Sequence, residues 1–165
     1  MKIVSLTQKI TLSALVVALY VTVMMFTQSF AFGQYQVRIA TSLYALSGIF
    51  PFLTFPLGVA NFLSNTLMGG LGPLDMAGGI AVGLLTAGSI ARFKDSSRVC
   101  WAAFLSISLI PGLGVPLWLS WLLHIPYFVL MPSVMVGQVI SGAFGALLLS
   151  VLKHRFNEST KQDHH

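Results

Sequence analysis

Long apolar runs and short polar breaks alternate along this chain. From Val99 to Leu152 no Asp, Glu, Lys or Arg occurs. Between Ile10 and Ala91 only Arg38 and Asp75 carry charge. A helix that crosses a bilayer needs about 20 mainly apolar residues. The Val99–Leu152 run therefore holds two such helices and a turn. In lipid only helices and closed barrels satisfy their backbone polar groups, and a barrel would require a strict two-residue alternation that this sequence lacks. The pattern predicts an all-α, polytopic membrane protein made of one transmembrane domain, residues 1–165.

The polar breaks set the number of crossings. Basic residues fall in three clusters: Lys2 and Lys9; Arg92, Lys94 and Arg98; Lys153, Arg155 and Lys161. Cytoplasmic loops carry an excess of Lys and Arg. If every cluster is cytoplasmic, an even number of crossings separates each from the next. Two fit between Arg98 and Lys153, and four short ones fit between Lys9 and Arg92. Six transmembrane helices with both termini inside are expected, at about 10–32, 39–53, 57–68, 74–91, 99–123 and 127–152, followed by a polar tail, 153–165. Pro51 and Pro56 mark one turn, "GGLGP" another and "DSSR" the cytoplasmic loop. "PGLG", from Pro111 to Gly114, either breaks the fifth helix or begins its outer end. The second and third helices are the ones expected to be short, tilted or partly re-entrant. The first run, Ile10 to Phe26, exceeds the usual 7–15-residue core of a signal peptide and is read as a helix that stays. This places the chain in the cell membrane as a multi-pass protein.

Composition narrows the classes further. The chain is 56% hydrophobic and 8% charged, against about 25% charged for a soluble domain. The net charge of +5 is topogenic and calls for no nucleic acid. One cysteine, Cys100, makes neither a disulfide nor a metal site. The terminal His164 and His165, which a purification tag would also supply, are not read as metal ligands. No P-loop, no HExxH and no Ser/His/Asp set occurs, so neither ATP hydrolysis through that motif nor another catalysis is expected, and no cofactor is implied.

By the same parity Arg38 and Asp75 lie at the outer mouths of the second and fourth helices. Charges at membrane depth are costly, so they mark a site or pair with each other. Headgroup snorkelling and a plain inter-loop salt bridge are the alternatives. Asn61 and Asn65 are one turn apart on one face of the third helix. Gln34 and Gln36 flank the first outer loop, and Gln138 lies inside the sixth helix. Amides both donate and accept, which suits reading the edge of a heterocycle, although they also glue helices together. Trp118, Trp121, Tyr127 and Phe128 surround the last outer loop, as a stacking platform or as an interfacial aromatic belt. His124 lies in that loop too. Ala14 and Ala18 put small residues four apart on the first helix, where another helix packs closely; Gly79 and Gly83, and Gly137, Ser141 and Gly145, repeat the spacing.

"QVRIA" followed by "GVANFLSNTLMGGLGPLDMAGG" resembles the QueT family of queuosine-precursor transporters, substrate-binding S components of energy-coupling factor importers. The likeness runs roughly from Ala14 to Ile90 and rests on Gln36 and Arg38, on Ala60–Asn61, and on Gly72, Asp75 and Gly78. It implies a six-helix S-component bundle and an outward-opening pocket for a purine-like base. It also implies a membrane T subunit and two ATPase subunits as partners, with Ala14 and Ala18 at the T-subunit dock. Such S components are thought to tilt in the membrane to deliver the ligand. Family members often carry a Glu soon after the arginine and another in the last helix. Here those places read Thr41 or Ser42, and Gln138. A carboxylate suits a cationic aminomethyl deazapurine, and amides suit a neutral one. The alternative from a different class is a self-sufficient small secondary transporter or channel for a polar metabolite.

Overall fold

The computed structural model describes residues 5–31, 37–68 and 71–162, with side chains for all but 30 and 157–162. Six α-helices and two 3-10 segments follow one another: α1 (Leu6–Phe26), α2 (Gln28–Ala31), the 3-10 segments Ile39–Gly48 and Pro51–Leu53, then α3 (Thr54–Leu67), α4 (Pro73–Arg92), α5 (Val99–Leu123) and α6 (Tyr127–Gln162). Among the described residues there is no strand. The protein is an all-helical membrane bundle, and among the described residues four helices are long and apolar enough to cross a bilayer: α1, α4, α5 and α6.

The longer 3-10 segment and α3 differ from these four. At about 2.0 Å per residue the longer 3-10 segment covers roughly 20 Å, and α3 covers about as much at 1.5 Å per residue. Neither alone is a full-length α-helical span. The 3-10 segment runs through the middle of the bundle and buries Ala40, Thr41, Ser42, Leu43, Tyr44, Ala45, Ser47 and Gly48. Most of these are small. A tight helix of small residues is thin enough for α4, α5 and α6 to close around it. A methyl at Gly48 would come within 3.0 Å of Val99 and 3.2 Å of Ile90 and Leu149. On the opposing helix, a methyl at Gly145 would meet Ile107 at 2.6 Å and the Ser42 carbonyl at 3.1 Å.

Several boundaries differ from the sequence reading. The first helix stops at Phe26, where the Thr27 hydroxyl donates to the Val23 carbonyl at 2.7 Å and α2 starts afresh. The turn lies at Ile49 and Phe50, and Pro51 begins the short 3-10 segment that leads into α3. Pro56 instead sits in the first turn of α3, where its missing N–H leaves no bond unmade. Pro111 and Pro116 do not end α5, and α6 runs through the residues read as a polar tail as far as Gln162.

The described members of the three basic clusters meet at one end. Lys9 Nζ stands 5.9 Å above the Phe52 ring, Phe52 stacks obliquely on Phe50, and Phe50 meets Phe156 of α6 edge-on. Lys153 Nζ in turn donates to the Lys94 carbonyl at 3.4 Å. Arg38 and Asp75, at the opposite ends of their elements, lie away from this basic end. The outer surface is apolar, with Leu6, Leu15, Trp101, Leu117, Phe128 and Leu147 all exposed, as lipid contact requires.

Gly145→Val should force α6 off the 3-10 segment and cost about 1–3 kcal/mol of stability by overpacking. Gly88→Ala, whose new methyl meets only Thr54 Cγ2 at 3.7 Å, should leave stability unchanged or higher. Thermal unfolding in detergent separates the two; equal effects would contradict close packing at Gly145.

Candidate functional site

The Arg38 backbone is fixed before its side chain is. Its carbonyl oxygen accepts from Thr41 N–H at 2.9 Å, from the Thr41 hydroxyl at 2.7 Å and from the Ser141 hydroxyl of α6 at 2.9 Å. These bonds tie the start of the 3-10 segment to α6. Arg38 as a whole is 5% exposed, and its Nη1 donates to Asn65 Oδ1 at 3.2 Å.

Asn65 passes the link onward. Its Nδ2 donates to the Asp75 carbonyl at 3.3 Å, so one amide stands between the two charged residues. Asp75 lies in the first turn of α4 and is 3% exposed. A carboxylate is favoured there by the free N–H groups and dipole of a helix N-terminus. Trp118 Nε1 of α5 donates to its Oδ1 at 2.9 Å, and the Leu71 N–H donates to its Oδ2 at 3.3 Å. Gly72, with φ of 104°, supplies the left-handed turn that starts α4.

One turn below, Asn61 repeats the stitch. Its Nδ2 donates to the Gly79 carbonyl at 2.8 Å and to the Tyr44 hydroxyl at 2.9 Å. Two acceptors at Nδ2 fix the amide orientation. Asn61 Oδ1 then has no hydrogen-bond partner among the described residues, though the side chain is buried. Tyr44 meets Tyr20 of α1 through their hydroxyls at 3.3 Å, and both rings are fully buried.

Two glycines make this geometry possible. A methyl at Gly79 would fall 2.6 Å from Asn65 Nδ2, and one at Gly78 would fall 2.6 Å from the Trp118 ring. The small residues of α4 therefore seat an asparagine on one side and a tryptophan on the other.

The structure thus brings buried Arg38, Asn61, Asn65 and Asp75 and half-buried Trp118 into one polar cluster. Gln138 joins through Thr41, whose hydroxyl lies 3.2 Å from Gln138 Oε1. That hydroxyl has one proton and a shorter bond to the Arg38 carbonyl. The contact is best satisfied with the Gln138 amide turned to present its NH2. Trp121 is not brought in; it is 70% exposed on the outer surface. Gln34 and Gln36 lie outside the described residues. His124 caps α5 in the left-handed conformation, which is a structural duty. Ala14 and Ala18 are exposed on α1, whose buried face is Val16, Tyr20 and Met24. Sequence reasoning missed Tyr20 and Tyr44, and it named Thr41 and Ser141 without giving them these hydrogen bonds. The two tyrosines carried a usable signal, because a phenol within an apolar span needs a partner for its hydroxyl.

Asn65→Leu keeps the size and removes the bridge. It should cost about 1–3 kcal/mol, because the buried Arg38 guanidinium and the Asp75 backbone carbonyl each lose one hydrogen bond. Thr66→Val, on the exposed neighbour, should cost far less. Chemical denaturation in detergent checks this; equal costs would mean that the bridge contributes nothing.

Comparison with curated proteins and with solved structures finds no match. A family model described as the QueT transporter matches residues 10–154 of the 165-residue chain. That stretch takes in every described residue of the polar cluster, and it makes the chain a transport protein of the membrane. By this match the chain belongs to the QueT transporter family.

Proposed function

We propose that this chain is the substrate-binding S subunit of an energy-coupling factor importer. It would take a queuosine precursor, a deazapurine-like base, from the outside for uptake driven by partner ATPases. The observation that carries this reading is the polar cluster of Arg38, Asn61, Asn65, Asp75 and Trp118 at the end of the bundle away from the basic residues. With the basic end cytoplasmic, the cluster faces the outer side. Gln34, Gln36 and Gln138 complete the proposed binding set, and Trp121 remains a lip residue of the same outer end.

The chemistry fits a flat heterocycle. Arg38 donates to a ring carbonyl. Asp75 and the Asn61 Oδ1 accept from ring N–H groups. The Trp118 indole, half-buried against Gly78, offers a face for stacking. A pocket of this kind rejects the wrong base strongly, because its buried polar groups are left unpaired. The Thr41–Gln138 pair carries no charge, which favours a neutral base over a cationic aminomethyl one.

The exposed Ala14 and Ala18 suit close approach of a T-subunit helix. Two ATPase subunits would supply the hydrolysis for which this chain has no P-loop. A self-sufficient carrier would need neither partner.

Three outcomes follow. Arg38→Ala should weaken binding of a neutral deazapurine by about 1–3 kcal/mol in a calorimetric titration, while Arg92→Ala at the basic end leaves it unchanged. Ala18→Leu should abolish copurification with T and ATPase subunits while ligand binding survives; unchanged association would remove α1 from the dock. Reporters fused after Lys94 and at the C-terminus should both read cytoplasmic, and an external C-terminus would overturn the orientation. Uptake that persists when ATP hydrolysis is blocked would favour the self-sufficient carrier.

A further inference from the structure

Cys100, Trp101 and Phe104 of α5 and Ala146 of α6 line an open groove of about 270 Å³ on the outer surface of the bundle. Its walls are apolar. Trp101 is largely exposed and meets Phe104 edge-on, with ring centroids 6.1 Å apart. Glycines at the α5–α6 crossing draw the two helices together behind it: a methyl at Gly142 would fall 2.5 Å from Ser108 Oγ and 2.9 Å from the Phe104 carbonyl.

The groove opens at the basic end of the molecule. Arg98 precedes Cys100 by two positions and is exposed. Lys153, two turns of α6 beyond Ala146, donates to the Lys94 carbonyl and so brings a second helix's cation to the same rim. Arg92, Lys94 and Arg155 are exposed nearby. The one acid at this end whose side chain is described is Asp95, 3.9 Å from Lys94. The rim therefore keeps a marked surplus of positive charge.

Interfacial aromatics and cytoplasmic cations are each ordinary in membrane proteins. A concave apolar seat that ends at a cationic rim is more selective, because it matches an amphiphile with an apolar tail and an anionic head. We propose that this groove is a binding site for an anionic phospholipid. An acyl chain lies against Trp101, Phe104 and Ala146, and the phosphate sits within reach of Arg98 and Lys153. Basic pockets between transmembrane helices on the cytoplasmic side hold anionic headgroups in this way. A partner protein's apolar helix would fill the seat but would have no use for the rim, so charge complementarity favours the lipid.

Native mass spectrometry of the full chain in detergent tests the site, with phosphatidylglycerol and phosphatidylcholine of identical acyl chains as probes. Phosphatidylglycerol should be retained in preference, by roughly fivefold for each cation engaged. Arg98→Gln should reduce that preference by about one such factor. Ala146→Phe fills the seat and should abolish it, whereas Leu147→Phe, on the exposed side of α6, should not. Equal retention of both lipids would overturn the proposal. So would a preference that survives Ala146→Phe, since cations alone would then suffice. A photoreactive residue at position 101 that crosslinks to a protein rather than to lipid in native membranes would overturn it as well.

Discussion

One amide, Asn65, links the Arg38 guanidinium to the backbone of Asp75, and these are the two buried charged residues among those described. Arg38 donates to its oxygen and Asp75 accepts, through its carbonyl, from its nitrogen. The rest of this end of the bundle depends on that bridge. It holds α3 against α4, and with Trp118 on the Asp75 carboxylate it connects α5 as well. Charged groups in lipid are tolerated where they face the bundle interior and find partners. Here Asn65 of α3 holds the guanidinium, and Trp118 of α5 with the Leu71 N–H holds the carboxylate, so the charges also fix how α3, α4 and α5 meet.

The bridge requires close approach, and close approach requires small residues. Gly78 and Gly79 leave room for Trp118 and Asn65 on opposite sides of α4. The thin 3-10 segment, built largely of Ala, Ser, Thr and Gly, lets α6 reach the Arg38 carbonyl through Ser141. Helices in lipid gain little from burying apolar side chains against each other. Interior hydrogen bonds and tight packing must take that role, and both are concentrated around this segment. Polar residues inside and Leu, Phe and Trp outside are the expected result.

Much of this could be read from the sequence. The charge-free run from Val99 to Leu152 and the three basic clusters were enough to predict α5, α6 and a common basic end. Arg38, Asp75, Asn61 and Asn65 stood out because polar residues are expensive in apolar surroundings. The form of the segment after Arg38 was not legible. "IATSLYALSG" has the composition of either an α-helix or a tighter one, and packing against α4, α5 and α6 decides between them. Trp118 and Trp121 looked alike in sequence. Helical phase and the gap left at Gly78 turn the first inward, while the second faces out. Tyr20 and Tyr44 come from separate elements, and only the fold makes them neighbours.

The account's central claim is that the buried cluster around Arg38, Asn65 and Asp75 receives the transported base. Photoaffinity labelling with a neutral deazapurine probe, followed by peptide mapping, tests it most directly. Saturable labelling confined to the segments that carry Asn61 to Asp75 and Trp118, and competed by unlabelled base, is the predicted result. Saturable labelling on the outer face of α5 around Trp101, or no competable labelling at all, would contradict it.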